Sequence, residues 1–184
     1  MNARFKSYVL PVLLLLGLLS TSCLIVSKQQ LINDKRARRD KGLKGRWIGQ
    51  DKLRSSYALF DDNLLETNIF TGKEPAKQSE VVFDLTTGVI GKYKYMSLHP
   101  HDETNAEYLL VRYAIDGSEM KVWVLDSTLI DAAISDGRLK KTVSDGSSTT
   151  ILSDPADKVV AFIIENEHSD DLFDYLGTFR KEKK

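Results

Sequence analysis

Between Arg46 and Leu125 the chain is interrupted at short intervals by residues that turn a backbone, and that spacing leaves room only for short strands. Asp61-Asp62-Asn63, Thr71-Gly72 and Thr87-Gly88 separate β-rich runs at 46–53, 56–60, 64–70, 79–85 and 89–98. Consecutive runs of this length with turn residues between them predict antiparallel neighbours. Thr86-Thr87-Gly88 reads as a tight hairpin turn. Asp116-Gly117-Ser118, between runs at 107–115 and 119–125, is the clearest hairpin signal, because Asp-Gly supplies the positive φ that such turns require. In the second of these runs Met120, Val122 and Val124 alternate with Lys121, Trp123 and Leu125. One face is therefore apolar throughout, and Trp123 calls for cover on the other.

After Leu125 the hydrophobic period lengthens. Asp126-Ser127-Thr128 can cap a short helix over 129–135 that stops at Asp136-Gly137. The stretch 139–148 reads as a loop or an edge, and 149–152 as one more strand. Asp154-Pro155-Ala156-Asp157 starts a helix over 155–166: an acid at the N-cap, proline at the first helical position and an acid in the first turn. Val159, Val160, Ile163 and Ile164 share its apolar face, and a buried strand over 159–164 is the competing reading. Ser169-Asp170-Asp171 opens a further helical turn, and 175–180 reads as a closing strand. The expected fold class is α+β: a bent antiparallel sheet or partly closed β-barrel, with two or three short helices toward the C-terminus.

The N-terminus follows a different logic. Met1–Lys6 carries two positive charges, Tyr8–Leu19 is apolar apart from the tyrosine, and Ser20-Thr21-Ser22 precedes the single cysteine, Cys23. A charged start, an apolar core and a small-residue exit define a secretory signal. Leu19-Ser20-Thr21-Ser22-Cys23 resembles the lipobox of bacterial lipoproteins, with Ser20 where an aliphatic residue is more usual. The resemblance implies a signal peptide over 1–22, a diacylglycerol on the Cys23 sulfur, an N-acyl chain such as palmitate on its amine, and attachment to a membrane through these lipids. Two or more chains hold a protein stably, at about 0.8 kcal/mol per buried CH₂. Leu24 is not the aspartate that, in enteric-type bacteria, retains lipoproteins in the inner membrane. The outer membrane, facing the periplasm, is the expected location. The competing reading is an uncleaved anchor running on through Leu24-Ile25-Val26.

Charge divides the remainder. From Cys23 to Arg46 there are eight basic and two acidic residues; from Trp47 onward there are 16 basic and 24 acidic, a net of −8. The expected organisation is a basic polar tether over 23–44 and a single envelope domain over 45–184. Residues 27–44 read either as a solvated spacer or as a contact with anionic headgroups. An acidic domain is a poor fit to nucleic acid, whose binding rests on neutralising phosphates. With 42% hydrophobic and 28% charged residues the chain can build a packed core, and one cysteine rules out an internal disulfide.

Candidate sites are few. Gly45-Arg46-Trp47 with Arg180 resembles the lipocalin-like pattern, in which G-x-W opens a barrel and a late arginine packs over the tryptophan. That resemblance implies an interior for a small apolar ligand, with Trp47, Tyr93, Tyr95, Tyr108 and Tyr113 as lining; the plainer reading is core packing. His99, His101 and Asp102 share one loop fixed by Pro100, a donor set able to hold zinc, although a polar loop between strands is the plainer reading. Asp61-Asp62 and Asp170-Asp171 lack the spacing of a calcium loop, and there is no G-x-S-x-G. Three functions follow: a binding or interaction module with an envelope protein partner, of immunity or inhibitor type in one version; a lipocalin-like carrier; and an envelope-acting enzyme.

Overall fold

The computed structural model describes residues 24–50, 53, 56–61, 63–70, 78–103, 107–142 and 149–183. Cys23 and the signal-like segment before it lie outside this range. Eight antiparallel strands close into a barrel: β2 (Gly45–Gly49), β3 (Tyr57–Asp61), β4 (Leu64–Phe70), β5 (Gln78–Ile90), β6 (Tyr93–Pro100), β7 (Leu109–Asp116), β8 (Glu119–Leu125) and β11 (Phe173–Lys181). Neighbours in sequence are neighbours in the wall until β8, and β11 closes the ring between β8 and β2. The expected bent sheet is thus fully closed, which removes the exposed edges that an open sheet must protect. A second sheet of three strands combines β1 (Ile25–Ser27), β9 (Lys141–Thr142) and β10 (Thr150–Leu152), with β1 and β10 parallel. Helices α1 (Ser127–Ser135) and α2 (Ala156–Glu165) and a 3-10 turn (Asp170–Leu172) fill the connection from β8 to β11.

Alternation along the strands creates two apolar bodies. Inward-facing Trp47, Phe60, Leu65, Phe83, Met96, Val111, Tyr113, Met120, Val122 and Val124 form one contiguous cluster inside the barrel. On the outer wall Ile90, Tyr95, Leu110 and Leu125 meet Ile130, Val159, Val160, Ile163 and Leu172 from the helical connection. This second body is the cover that Trp123 called for, and Trp123 packs at its margin.

The hairpin at Asp116-Gly117-Ser118 forms as expected, with Gly117 at φ +58°. The hairpin expected at Thr86-Thr87-Gly88 does not. Those residues continue β5, and the turn falls at Gly91, φ +56°, and Lys92. Gly88 serves a non-local need instead. A Cβ there would lie 2.5 Å from the Arg36 carbonyl oxygen and 2.5 Å from Ile32 Cγ2.

Helix α1 is capped by the Asp126 carboxylate on the Thr128 N–H, and the chain leaves it through left-handed Gly137. Helix α2 departs from expectation at its start. Pro155 is the N-cap residue, while Asp154, itself buried, accepts from Lys158 Nζ at 2.8 Å and from the Lys140 N–H. The Ala156 N–H is satisfied by Gln29 Oε1 at 3.0 Å. The buried face of α2 uses Phe162 with Val159, Val160 and Ile163, leaving Ile164 46% exposed.

Residues 24–44, within the segment read as a tether over 23–44, lie against the barrel. Ile25–Ser27 pairs with Thr150–Leu152, and Ser27 bridges Tyr108 at the head of β7. Leu31 and Ile32 are fully buried against the outer wall. Arg36 pairs with Asp157 on α2 at 2.6 Å, and Ala37 bridges Gly88 on β5. Leu43 then enters the interior cluster and accepts the Trp47 indole N–H at 2.6 Å. The segment straps the barrel from the β6–β7 end to the opposite end before becoming β2. Its basic residues mark the strap's outer side, and its few aliphatic residues its inner side.

Candidate functional site

Two clefts stand out among the described residues. The first, about 540 Å³, lies at the barrel end crossed by the strap. It exists because β4 leaves β5 early: Leu64 pairs with Asp84 and the Leu85 N–H reaches Asn63 O at 2.9 Å, so β5 from Thr86 onward has no strand partner on that side. The strap takes up only part of that edge, with the Arg38 N–H on Thr87 O at 2.7 Å and the Thr87 hydroxyl on Arg38 O at 2.6 Å. Between strap and rim remains a hollow floored by Leu43, Phe60 and Leu85 and walled by Arg38, Arg39, Lys41 and Lys44, with Asp61 on the same rim 3.4 Å from Lys44 Nζ. Asp40 anchors the strap there. It accepts from Lys94 Nζ at 2.8 Å, Tyr113 Oη at 3.0 Å and the Gly42 N–H at 2.9 Å. Partial burial alone would raise the Asp40 carboxyl, but the Lys94, Gly42 and Tyr113 hydrogen bonds outweigh it and hold it below the usual carboxylate range. The Tyr113 hydroxyl is pushed up by burial and by the Asp40 charge.

The second cleft, about 310 Å³, lies on the outer wall beside the 3-10 turn. Its centre is Arg112 on β7, paired laterally with Tyr95 on β6 and Trp123 on β8. The guanidinium carbon sits 4.5 Å from the Phe173 ring centroid, 4.8 Å from that of Trp123 and 4.9 Å from that of Tyr93. Glu167, His168, Ser169 and Asp170 form the rim.

The residues singled out in the sequence do not converge. Trp47 and Tyr113 belong to the interior cluster. Tyr95 is fully buried in the outer body, 5.8 Å from the Phe173 ring, and Tyr93 lies against Arg112. Tyr108 sits at the head of β7, its ring 4.7 Å from that of His99. Arg180 is exposed and pairs with Glu119 at 2.8 Å. The cation over Trp47 is its cross-strand neighbour Lys181, with Nζ 5.0 Å from the ring and bonded to Gly42 O at 2.9 Å.

His101 Nδ1 contacts Asp84 at 2.9 Å. That hydrogen bond, reinforced by the Asp84 charge, raises the imidazole above its ordinary value. Asp102 is exposed beside it, while His99 faces Tyr108. Among the described residues no three His, Cys, Asp or Glu side chains gather as a metal would require. A carboxylate pair that the sequence did not suggest is Asp126 with Asp174, where burial, and then the Asp126 charge and hydrogen bond, raise the Asp174 carboxyl. Both clefts were invisible in the sequence. Each draws its walls from three or more separate segments, so no local spacing encodes it.

An eight-stranded barrel either fills with side chains or holds one small ligand. Here Trp47 is 0% exposed, Met120 1%, Tyr113 2% and Phe60 and Phe83 3% each. A void admitting a water-sized sphere would leave accessible area on its lining. These described side chains pack as a core, and the two clefts above open outside it. Among the described residues the chain is a closed antiparallel β-barrel with two helices, a fold compatible with a lipocalin-like binding protein. No protein-family model, no curated protein and no solved structure matches it.

Proposed function

We propose that this chain is a lipid-anchored bacterial envelope lipoprotein whose barrel is a binding module, meeting its partner at the basic cleft rather than in its interior. The observation that carries this reading is the opposition of the two barrel ends. Leu24 packs at the end where Ser27 bridges Tyr108, whereas the strap's Asp40 meets Tyr113 five residues further along β7. At about 3.3 Å per residue the cleft begins about 17 Å from the anchored end. A lipid on Cys23 would set the first end against the bilayer and present the cleft to the periplasm. A hollow of about 540 Å³ with an apolar floor and cationic walls suits an acidic side chain group on an envelope protein. The immunity or inhibitor version assigns the partner to a toxin or lytic enzyme.

The second reading, a carrier of a small apolar ligand, is favoured by Lys181 over Trp47, which stands where the lipocalin-like pattern has its late arginine. It requires the interior to repack around a guest.

The intact mass of the protein produced in a bacterial host, as wild type and as Cys23→Ala, tests the anchor. Cleavage before Cys23 with added acyl chains, lost in the variant, is expected; an unmodified full-length mass in both refutes it. A photo-crosslinker at Lys41 tests the cleft and is expected to trap one reproducible envelope protein. Trapping none, with an apolar molecule extracted instead from the purified protein, would replace the module by the carrier.

A further inference from the structure

We propose that the outer-wall cleft around Arg112 is a second binding site, specific for a small carboxylate carried on a flat apolar body. Among the described residues Arg112 makes no hydrogen bond or ion pair; its contacts are the rings of Phe173, Trp123 and Tyr93. Rings hold a guanidinium through its charge and its π-face, and they leave its N–H donors free. A fork with five donors, held in place but without an acceptor, is preorganised for a carboxylate, which it engages bidentately.

The nearest carboxylate on the rim does not fill that role. Glu167 is turned the other way: it accepts from the Lys92 N–H at 3.1 Å and pairs with Lys92 Nζ at 3.8 Å. Its own charge is thereby met, and Lys92 with His168, 3.3 Å apart, stands at the same mouth. The apolar part of the ligand has a surface ready as well. Trp123 continues the cleft to Tyr175 on β11, with ring centroids 5.8 Å apart and Tyr175 52% exposed. An aromatic body stacked there would place its carboxylate over Arg112, in a cleft of about 310 Å³, the lower end of the range for small-ligand sites.

The full chain purified in detergent provides the test, with benzoate as probe and neutral benzamide as its isostere. Its two tryptophans give two indole N–H resonances, assigned with Trp123→Phe; Trp47, in the barrel core, reports on folding. Benzoate is expected to shift the Trp123 signal saturably, and benzamide to need a concentration roughly tenfold higher or more, equivalent to about 1.4 kcal/mol. Arg112→Gln, and Arg112→Lys, which keeps the charge but loses the fork, are each expected to weaken benzoate by a similar factor with the Trp47 signal unmoved. No saturable shift, equal binding of benzoate and benzamide, or undiminished binding in a folded Arg112→Gln protein would overturn the proposal. Should both variants unfold, the benzoate–benzamide comparison on wild type still decides it.

Discussion

Ile32→Ala isolates the question of whether residues 24–44 belong to the folded body. Ile32 is 0% exposed, packed in the outer-wall cluster with Ile90, Tyr95 and Ile163, and its Cγ2 abuts the bare Cα of Gly88. Truncation removes three carbons that are entirely out of water and leaves a cavity bounded by a strand on one side and α2 on the other. Neither boundary can collapse freely, because the strap is pinned on both flanks: by Gln30 Nε2 on Thr86 Oγ1 at 2.8 Å and by the Ala37–Gly88 bridge. Large-to-small changes of this kind cost about 2–5 kcal/mol, and about 3 kcal/mol is expected here. For a body of this size each kcal/mol lowers Tm by about 2–4 °C, so a fall of about 6–12 °C follows. Circular dichroism melting of the full chain in detergent reads it, with Lys35→Ala, an exposed position three residues on, as the control within about 0.5 kcal/mol. A solvated spacer would give two indistinguishable melts. That result would refute the strap and, with it, the fixed geometry of the basic cleft.

Two further perturbations probe the same joints. Gly88→Ala drives a methyl into the Arg36 carbonyl and Ile32 and should cost about 1–3 kcal/mol, seen as a lower urea midpoint at unchanged slope; an unchanged midpoint would mean the strap does not lie on β5. Asp40→Asn leaves Lys94, Gly42 and Tyr113 competing for one acceptor and should cost about 1–2 kcal/mol at neutral pH. Since the folded-state carboxyl lies below its unfolded value, wild type holds this stability in full above the ordinary carboxylate range and loses it as pH falls through the lowered folded value. The gap between wild type and Asp40→Asn should therefore close on acidification; a gap that widens would contradict the sign.

What the sequence made legible was what it encodes locally. Asp116-Gly117, the alternation through 119–125 and the Asp126 cap each fix structure within a few residues, and each formed where expected. Thr86-Thr87-Gly88 carries the same turn chemistry but failed. Its glycine answers to residues 32 and 36, which approach from outside the strand, so a turn and a close approach left the same mark. Asp154 likewise offered a fair N-cap, yet the acceptor for the Ala156 N–H comes from Gln29, 127 residues before Ala156 in sequence. The strap itself was hidden by arithmetic. Lys, Arg and Asp dominate residues 27–44, and the three aliphatic residues that bury, Leu31, Ile32 and Leu43, are too few for any period to register.

That loss of a spacer changes what a lipid on Cys23 would do. With consecutive Cα atoms about 3.8 Å apart, the acylated residue cannot stand off from Leu24, and Leu24 is buried in the body. On the lipid-anchored reading the barrel is then held against the bilayer in one orientation, instead of ranging on a flexible leash. The basic residues that looked suited to anionic headgroups sit at the opposite end. Arg38, Arg39, Lys41 and Lys44 line a cleft that begins about 17 Å along β7 from the end where Leu24 packs, roughly two Debye lengths at physiological salt. Headgroup attraction across that distance is largely screened. The body behind them carries a net charge of −8 from Trp47 onward, which turns anionic molecules away over most of its surface. On the lipid-anchored reading, a partner with an acidic contact point would meet this cleft on the side facing away from the bilayer.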